Sequence, residues 1–575
     1  MPIEIYTTVF IFIITIAGLI RFQRKPAAVL GSALLALTML GLVSKEQLLT
    51  SMVNPGLVTL ILLILCSFAL EKTRFLRIIA AKVMVNSYQS TWLRLFGITA
   101  LCSAFLNNTA VVATLISPIR NNPHHSASKL LLPLSYAAIL GGTLTLIGTS
   151  TNLIVNSLFI DATGSSLSFF SFTLLGIALV IGCGITLAFS SRWLPDIDSN
   201  ELAYKGYFID AKVKAGSELI GRSVEVNGLR HLESLFLVEV VRKGRLITPV
   251  SPSEILQEGD RLVFSGDITK VMQISQFSGL ELFADKNGLL GTNLTEVVVK
   301  EESVLVGKNL KSSGFRALFD AAVVAISRDG SQVSGKLGEV SIKAGDFLVL
   351  AIGDDFSTRR NLTKNFILLS GVAPETRISG MRAWLATLGF ITVVSLSALG
   401  FIDMLLGLLA LLGALIFTGS LNTNEIIRRF PVDIWVVVTS AILMSQALVN
   451  AGVDSTIAQW VSGFTSMGHV YIALVCIYIL TWLLTELVTN NAAAALMFPI
   501  AYSIALGFGV DIMPFVMTVA FAASGSFISP YGYQTNLMVF NAGQYRLTDF
   551  IKVGAPVSIV YAVIVIIGIP LLFPF

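Results

Sequence analysis

The chain has 575 residues, of which 54% are hydrophobic and only 13% are charged, and its mean hydropathy is +0.80. Ordinary soluble domains carry about 25% charged residues, so a water-soluble core of this apolarity would leave large apolar patches exposed. The net charge of +4 is small for this length and argues against a nucleic-acid partner.

In chain order, the apolar residues form runs long enough to cross a bilayer, which takes about 20 residues of helix. Five such runs precede a long polar segment and five follow it. The sequence therefore predicts a polytopic membrane protein. The runs lie near residues 5–20, 27–43, 53–70, 130–160 and 168–191 in the first group, and near 382–400, 402–420, 433–451, 511–540 and 552–573 in the second.

Each group also contains one apolar segment, 91–118 or 468–500, that polar residues interrupt near its centre. The first interruption includes Asn107-Asn108-Thr109, here called the first tip, and the second includes Thr489-Asn490-Asn491, the second tip. We interpret each segment as a re-entrant hairpin that turns at its tip. Amphipathic segments at 74–88 and 453–464 precede the two hairpins and are predicted to lie at the membrane interface.

A second polar break follows each hairpin, so several landmarks of the first half recur in the second at a nearly constant separation. The separations are 382 positions from Asn108 to Asn490, 384 from Asn152 to Asn536, and 381 from Pro118 to Pro499. The two halves are therefore interpreted as repeats. Five full spans and one re-entrant hairpin move the chain to the opposite side of the membrane, so the second repeat must be inverted. The predicted fold is an all-α polytopic membrane protein with two inverted five-span repeats.

The polar segment 197–376 has alternating β-branched residues, Gly-Asp turns and most of the charge, which predicts soluble α+β structure. It is itself duplicated, because three landmarks recur after 86 positions: Gly221 and Gly307, Arg230 and Arg316, and the pairs Gly259-Asp260 and Gly345-Asp346. We therefore divide the chain into a first transmembrane repeat (1–196), two inserted units (197–285 and 286–376), and a second transmembrane repeat (377–575).

Lysine and arginine set the predicted orientation, because they are enriched in cytoplasmic loops. The basic residues near 21–25, 72–82, 120–129, 428–429 and 546–552 all fall on one side if the N-terminus is outside. This places the inserted units in the cytoplasm, both termini outside, and the protein in the cell (inner) membrane.

The polar breaks have a chemical use. Irregular backbone is tolerated at membrane depth only where it lines a cavity or is buried in protein. A broken helix frees carbonyl oxygens for a cation and directs a helix N-terminus at an anion, and Asn and Thr add hydrogen bonds without a buried charge. The breaks therefore predict one midplane site for an anion and small cations.

The two tips and the two later breaks resemble the divalent anion/sodium symporters, the sodium-coupled sulfate and dicarboxylate carriers. That family has a Ser-Asn-Thr motif at each hairpin tip and a Gly/Ala-Thr-Pro-Pro-Asn motif in each broken helix. The chain departs from these motifs at Asn107 and Asn491, and it lacks both Pro-Pro pairs. The resemblance covers both membrane halves and is nearest to sulfate permeases that carry an inserted cytoplasmic domain.

The resemblance implies a site-residue assignment. The substrate would contact Asn107, Asn108, Thr109, Thr489, Asn490 and Asn491. One sodium ion would be bound by Ser103, Asn107, Asn108, Gly148 and Asn152, and a second by Thr485, Thr489, Asn490, Gly532 and Asn536. No transition-metal site is expected.

Glu486 lies beside the second tip and has no acidic counterpart in the first half, where Leu106 aligns nearby. An acidic residue inside a membrane segment is a functional candidate. Two interpretations stay open at this point: proton handling or substrate selectivity, and a hydrogen-bonded structural role.

The inserted units resemble a tandem pair of RCK/TrkA C-terminal regulatory domains, which implies dimerisation and a small regulatory ligand of unknown identity, or a dimerising cap without a ligand. The sequence as a whole predicts a sodium-coupled symporter of a small divalent anion, and sulfate is the first candidate for that anion. The symporter would work by an elevator mechanism as a homodimer in the lipid bilayer. Alternatives are a proton-coupled or antiport carrier of dicarboxylates or other oxyanions, a ligand-gated channel, and a membrane-anchored sensor. No enzymatic motif is present.

Overall fold

The fold was analysed in a computed structural model. It describes residues 3–22, 25–73, 83–120, 122, 124–196, 207–229, 232, 235–242, 245–247, 250–266, 277, 279–282, 294–328, 331–333, 337–352, 356, 359, 361–368, 378, 380–453, 456 and 467–575. The predicted amphipathic segments 74–88 and 453–464 lie largely outside the described residues.

The first membrane half is helical. Several helix starts follow from local sequence: Pro26 and Pro55 occupy first helical positions, where a proline costs no hydrogen bond, and the Asn54 side chain accepts hydrogen bonds from two backbone amides of the helix that it precedes. The helices are α1 (Ile3–Arg21), α2 (Pro26–Met39), α3 (Lys45–Met52), α4 (Pro55–Glu71), α5 (Tyr88–Ser103), α6 (Asn108–Arg120), α7 (Ala127–Gly142), α8 (Ser150–Thr163) and α9 (Thr173–Ser190).

The inserted segment forms two antiparallel sheets of five strands each. Their strand orders are β3-β2-β4-β1-β5 and β8-β7-β9-β6-β10, so both sheets have the same topology. The elements are β1 (Tyr207–Val213), β2 (Leu235–Arg242), β3 (Arg245–Ile247), β4 (Arg261–Gly266), β5 (Leu280–Leu282), β6 (Leu294–Val299), α10 (Phe315–Phe319), β7 (Ala321–Arg328), β8 (Ser331–Gln332), β9 (Phe347–Ile352), α11 (Leu362–Asn365) and β10 (Phe366–Leu368).

Equivalent contacts stabilise the two sheets. The buried Asp260 accepts hydrogen bonds from Arg242, and Asp346 accepts them in the same way from Arg328. The bond to Asp260 raises the pKa of the Arg242 guanidinium. The glycine before each aspartate has a positive φ, 79° at Gly259 and 81° at Gly345. This confirms that the predicted Gly-Asp turns need a backbone angle that favours glycine.

The second membrane half repeats the helical pattern of the first. Its helices are α12 (Met381–Ala398), α13 (Met404–Phe417), α14 (Thr423–Arg429), α15 (Val432–Asn450), α16 (Met467–Leu487), α17 (Asn490–Phe508), α18 (Met513–Ser524), α19 (Gln534–Ala542) and α20 (Leu547–Leu572).

The predicted polar breaks do end helices. The apolar run 130–160 divides into α7 and α8, and the run 511–540 divides into α18 and α19, with polar loops 143–149 and 525–533 between them. Neither run is therefore one continuous span. Likewise, the segments that carry the tips divide at residues 104–107 and 488–489.

The helices of the two halves pack against each other. Helix α2 contacts α15, α4 contacts α13, α8 contacts α17, α6 and α7 contact α19, and α9 contacts α20. One continuous buried cluster runs through both halves. The polar helix ends described below lie where these contacts converge.

The outer surface is apolar. Met39, Phe417 and Leu571 are 86%, 93% and 76% exposed, which suits contact with lipid. In the described residues, eight helices are long and apolar enough to cross a membrane. The protein is therefore a polytopic membrane protein.

Candidate functional site

A cavity of about 590 Å³ lies where the polar breaks of both halves meet, and we call it the central cavity. Both tips line it with all six predicted substrate contacts: Asn107, Asn108, Thr109, Thr489, Asn490 and Asn491. Gly148 and Gly532, from the two later breaks, also line it. The sequence therefore identified side chains that the fold brings together from positions several hundred residues apart.

Four helices begin at the central cavity. Helices α6, α8, α17 and α19 start at Asn108, Ser150, Asn490 and Gln534, and each of these residues lines it. The first backbone amides of a helix lack partners within the helix, and its N-terminus carries a partial positive charge. Four such ends around one cavity favour an anion.

Local hydrogen bonds shape both tips. In the first tip, the Asn107 side-chain oxygen accepts a hydrogen bond from the Thr109 amide at 2.9 Å. In the second, the Thr489 hydroxyl accepts one from the Ala492 amide at 3.4 Å and caps α17. Short polar side chains are suited to these positions because they satisfy free amides where a helix starts.

Tyr533 lines the cavity and joins the two halves there. Its hydroxyl accepts a hydrogen bond from Asn108 Nδ2 at 2.9 Å and lies 2.9 Å from the Thr149 hydroxyl. It also interacts with the Asn490 side chain. Asn108 and Asn490 therefore share one partner, and neither faces lipid.

Two further bonds cross between the halves. Ser150 Oγ donates to Asn491 Oδ1 at 2.8 Å, and Thr109 Oγ1 donates to Gln534 Oε1 at 3.4 Å. In each pair, a residue of one tip meets the first residue of a helix that follows the polar break in the other half. These contacts fix the tips against the helix starts.

The first predicted sodium set contains unpaired oxygen atoms. Ser103 Oγ and Asn108 Oδ1 are buried and have no hydrogen-bond partner among the described residues. Buried polar atoms without a partner are costly. The Gly148 backbone approaches Gly142 so closely that a Cβ on Gly148 would lie 2.5 Å from the Gly142 carbonyl oxygen. Neutral oxygens beside a broken helix are suitable ligands for Na⁺.

The second predicted sodium set differs. The Thr485 hydroxyl donates to the Ala523 carbonyl at 2.7 Å, so its proton is already used. A Cβ on Gly532 would lie 2.8 Å from the Thr485 carbonyl oxygen and would also contact Ser526 Oγ. The two predicted cation sets therefore share a close backbone approach at a glycine, Gly148 or Gly532. They differ in the hydrogen bonding of their hydroxyl groups, Ser103 and Thr485.

Asn152 and Asn536 lie behind the cavity. Asn152 donates to the carbonyls of Gly142 and Thr145 at 3.5 and 2.9 Å. Asn536 donates in the same pattern, ten and seven residues back along the chain, at 3.0 and 3.4 Å. Both amide groups thus hold a polar loop in place. Ser103, Thr485, Asn152 and Asn536 are not among the residues that line the cavity.

Glu486 supports the second polar loop. Its Oε1 accepts hydrogen bonds from the Phe527 and Ile528 amides at 3.1 and 3.2 Å, and its Oε2 accepts one from the Ser529 amide at 2.9 Å. Of the two interpretations of this residue, the geometry supports the hydrogen-bonded structural role.

Several residues at the cavity were not among the predicted site residues. Thr149, Ser150, Tyr533 and Gln534 lie within the polar breaks, and Thr149 and Tyr533 occupy the same position in their halves, 384 residues apart. That correspondence could have singled them out. Residues 298–302, Lys364 and Ile367, from the second inserted unit, also line the cavity, and no motif marked them.

Two packed helical halves around a polar cavity are typical of a membrane transporter, and the relatives of the chain include transporters. The family model of the citrate transporters, CitMHS, matches residues 10–522. A candidate sulfur deprivation response regulator of Chlamydomonas reinhardtii is 31% identical over 92% of this chain and 94% of its own. An uncharacterized transporter of Synechocystis is 30% identical over 91% of this chain and 90% of its own.

Sodium/sulfate cotransporter 1 of Chlamydomonas reinhardtii is 32% identical over 62% of this chain and 42% of its own. The chain belongs to the citrate transporter family, within the divalent anion/sodium symporters.

Proposed function

We propose that the protein is a secondary active symporter that moves a small divalent anion together with sodium. Sulfate is the first candidate for that anion. The observation that carries this proposal is the convergence of four helix N-termini and both neutral tips on the central cavity. The helix ends supply partial positive charge for the anion. The unpaired oxygens of Ser103 and Asn108 provide ligands for a co-transported Na⁺.

The contacts between the halves support two inverted repeats. By position in the repeat, α2 corresponds to α13 and α4 corresponds to α15. Helix α2 packs on α15 and α4 packs on α13, so each helix contacts the counterpart of its neighbour. In the same way, α6 meets α19 and α17 meets α8. Exchanged contacts of this kind are expected across a twofold axis. In inverted-repeat carriers that axis lies in the membrane plane. In this protein, the two tip-bearing hairpins would be re-entrant.

Sulfate is the first candidate because relatives named as sodium/sulfate cotransporters are 32% identical to the chain. A small di- or tricarboxylate is the second candidate, because the matching family model is described as that of citrate transporters. The same helix ends and neutral donors would bind either oxyanion.

The remaining parts of the proposal concern movement and setting. The tip-bearing helices move as an elevator against a fixed scaffold in a homodimer of the inner membrane, with both termini outside. The inserted units are cytoplasmic, are of the RCK/TrkA C-terminal type, and take a small regulatory ligand. The equal strand orders of the two sheets support a tandem pair.

Uptake into proteoliposomes tests the proposal. An inward sodium gradient should accelerate uptake of radiolabelled sulfate relative to potassium or choline, and a sodium ionophore should abolish the acceleration. Excess unlabelled thiosulfate, succinate and citrate then rank the substrate classes. Uptake driven by a pH gradient without sodium would support the proton-coupled alternative, and large single-channel currents would support a channel. An absence of uptake for all of these anions would reject the proposed function.

A further inference from the structure

The second inserted sheet contacts the helix that follows the first tip. Arg120, the last residue of α6, forms an ion pair with Glu296 of β6, with Nη1 and Oε2 2.7 Å apart. The Arg120 guanidinium also lies over the ring of Phe347 in β9, 5.5 Å from its centroid. The two charged side chains are 15% and 27% exposed, so this ion pair is largely shielded from water.

The same sheet contacts the helix that follows the second polar break. Gln534 Nε2 at the start of α19 donates to Glu302 Oε1 at 3.4 Å. A Cβ on Gly345 would lie 3.0 Å from Asn541 Nδ2 and 3.3 Å from Leu537 Cδ1, so the Gly345 turn lies directly on α19. Because Gln534 also bonds to Thr109, one side chain connects the first tip to the inserted sheet.

Burial shows that both faces of this sheet are covered. Along β6 and β9, Val297, Val299, Leu348 and Leu350 belong to the core of the second inserted unit. Val298, Phe347 and Val349 point the other way, as the two-residue period of a strand requires. They belong to a cluster that includes both the membrane helices and the first inserted sheet, which contacts the second sheet through β1 and β7. Both faces of the sheet are therefore buried. Val298 and Val299 line the central cavity itself.

We infer that the second inserted unit closes the mouth of the central cavity and that the Arg120–Glu296 ion pair latches it there. The inference rests on the proposed function for the identity of the cargo, but closure can be measured without any cargo. Contacts to α6 and α19, which both begin at the cavity, would also restrain the elements that hold the substrate. Release of the unit opens the cavity from its side of the membrane.

Thiol labelling measures closure directly. Ser67 lines the cavity, and Ser67→Cys would be introduced after Cys66, Cys102, Cys183 and Cys476 are replaced by alanine. A charged, membrane-impermeant maleimide should label it slowly in the parent. Arg120→Ala and Glu296→Ala should accelerate labelling about tenfold, because an open state is ordinarily a minor population of about 10% or less. The charge exchange Arg120→Glu with Glu296→Arg should restore slow labelling.

The matched control is Lys311→Ala, which removes an exposed ion pair with Glu339 in the same inserted unit. It should leave the labelling rate unchanged. A second measurement uses Arg120→Cys with Glu296→Cys and a short, reducible bifunctional thiol reagent. Cross-linking should lower sulfate uptake and reduction should restore it in the same protein, so the result does not depend on comparing the folding of separate variants.

Closure and the proposed function can fail separately. Faster labelling in both single variants, reversed by the charge exchange, supports closure even if no variant takes up sulfate, in which case the proposed substrate alone is rejected. Equal labelling in the parent and the single variants overturns closure, whether or not sulfate is transported. Fast labelling in the charge-exchanged protein overturns the role of the ion pair as the latch.

Discussion

At the scale of single residues, the site combines neutral side chains from both halves. Tyr533 and Thr149 occupy equivalent positions in the two halves and bond to each other, and Tyr533 also bonds to Asn108. The long Tyr533 side chain reaches Asn108 and Thr149 of the first half, which a threonine at the same position would be too short to do. The two halves are thus related in backbone but differ in the side chains that meet at the cavity.

Replacement of Tyr533 by phenylalanine tests this connection. The change would leave Asn108 Nδ2 and the Thr149 hydroxyl without their shared partner, at a cost of about 1–3 kcal/mol in stability. We expect a lower unfolding temperature and weaker binding of sodium and sulfate, measured by thermal unfolding across a ligand titration. Tyr545→Phe is the control, because the Tyr545 hydroxyl bonds to Leu132 and Ser128 away from the cavity. It should lose stability but keep its ligand affinities. Equal ligand affinities in both variants would contradict the assignment.

Ser103→Ala tests the first cation set. Removal of a buried hydroxyl that has no partner within the described part of the chain should leave the sodium-free protein at least as stable, because no hydrogen bond seen there is lost. It should also raise the sodium concentration needed for half-maximal uptake by about tenfold, which corresponds to about 1.4 kcal/mol. Thr114→Val removes a hydroxyl that bonds to the Ala110 carbonyl and should not change sodium dependence. An unchanged sodium dependence in Ser103→Ala would exclude this residue as a ligand.

The sequence predicted that the two tips line a cavity, because polar side chains in an apolar run have few other uses. The assignment of the six tip residues to the substrate came from the resemblance to the symporter family. It did not predict Tyr533, because a tyrosine in an apolar run is ordinary in a membrane protein. Asn152 and Asn536 carried the same signal as the tips, yet their amide groups bond to loop carbonyls behind the cavity. A polar residue type alone does not distinguish a ligand from a support.

At the scale of helices and loops, close backbone contacts hold the polar breaks. The Gly148 and Gly532 backbones each lie against an earlier residue of the same break, Gly142 or Ser526. The helix ends can converge on the cavity because these positions lack side chains.

Gly148→Ala and Gly532→Ala should therefore abolish uptake. In both variants the new methyl group would meet backbone oxygen, at 2.5 Å from Gly142 and 2.8 Å from Thr485, which requires a shift of the broken helix. Gly97→Ala in α5 is the control, because a Cβ there meets no atom within 4 Å, and alanine favours a helix by about 1 kcal/mol over glycine. Initial uptake rates check all three. Normal uptake in both site variants would contradict the close approach.

Glu486→Gln tests the support of the second loop. Glutamine has one oxygen where the carboxylate has two, so at least one of the three loop amides loses its acceptor, at a cost of about 1–3 kcal/mol. We expect lower stability and slower uptake, with the same sodium dependence and pH profile. A stable variant that loses only pH-driven flux would instead assign proton handling to Glu486.

The helix interruptions were predictable because they depend on residues adjacent in sequence. The bonds of Glu486 were not, because they join residues 41 to 43 positions apart and depend on how α16 packs on α18. The bonds that this packing brings about favour the structural interpretation of Glu486.

At the scale of the whole molecule, the second inserted unit packs against helices of the membrane halves. Hydropathy separated the two kinds of structure, and repeated glycines indicated that the inserted segment is duplicated. The docking of the second sheet was not predictable, because its principal ion pair joins residues 176 positions apart in segments that carry no shared motif.

Both halves are expected to contribute to one binding site between their tips. A cryo-electron microscopy map with sodium and sulfate, compared with a map with potassium alone, tests it most directly. We expect sodium-dependent density in the central cavity, in contact with both Asn108 and Asn490. Ligand density confined to one half, or located outside the cavity, would contradict it.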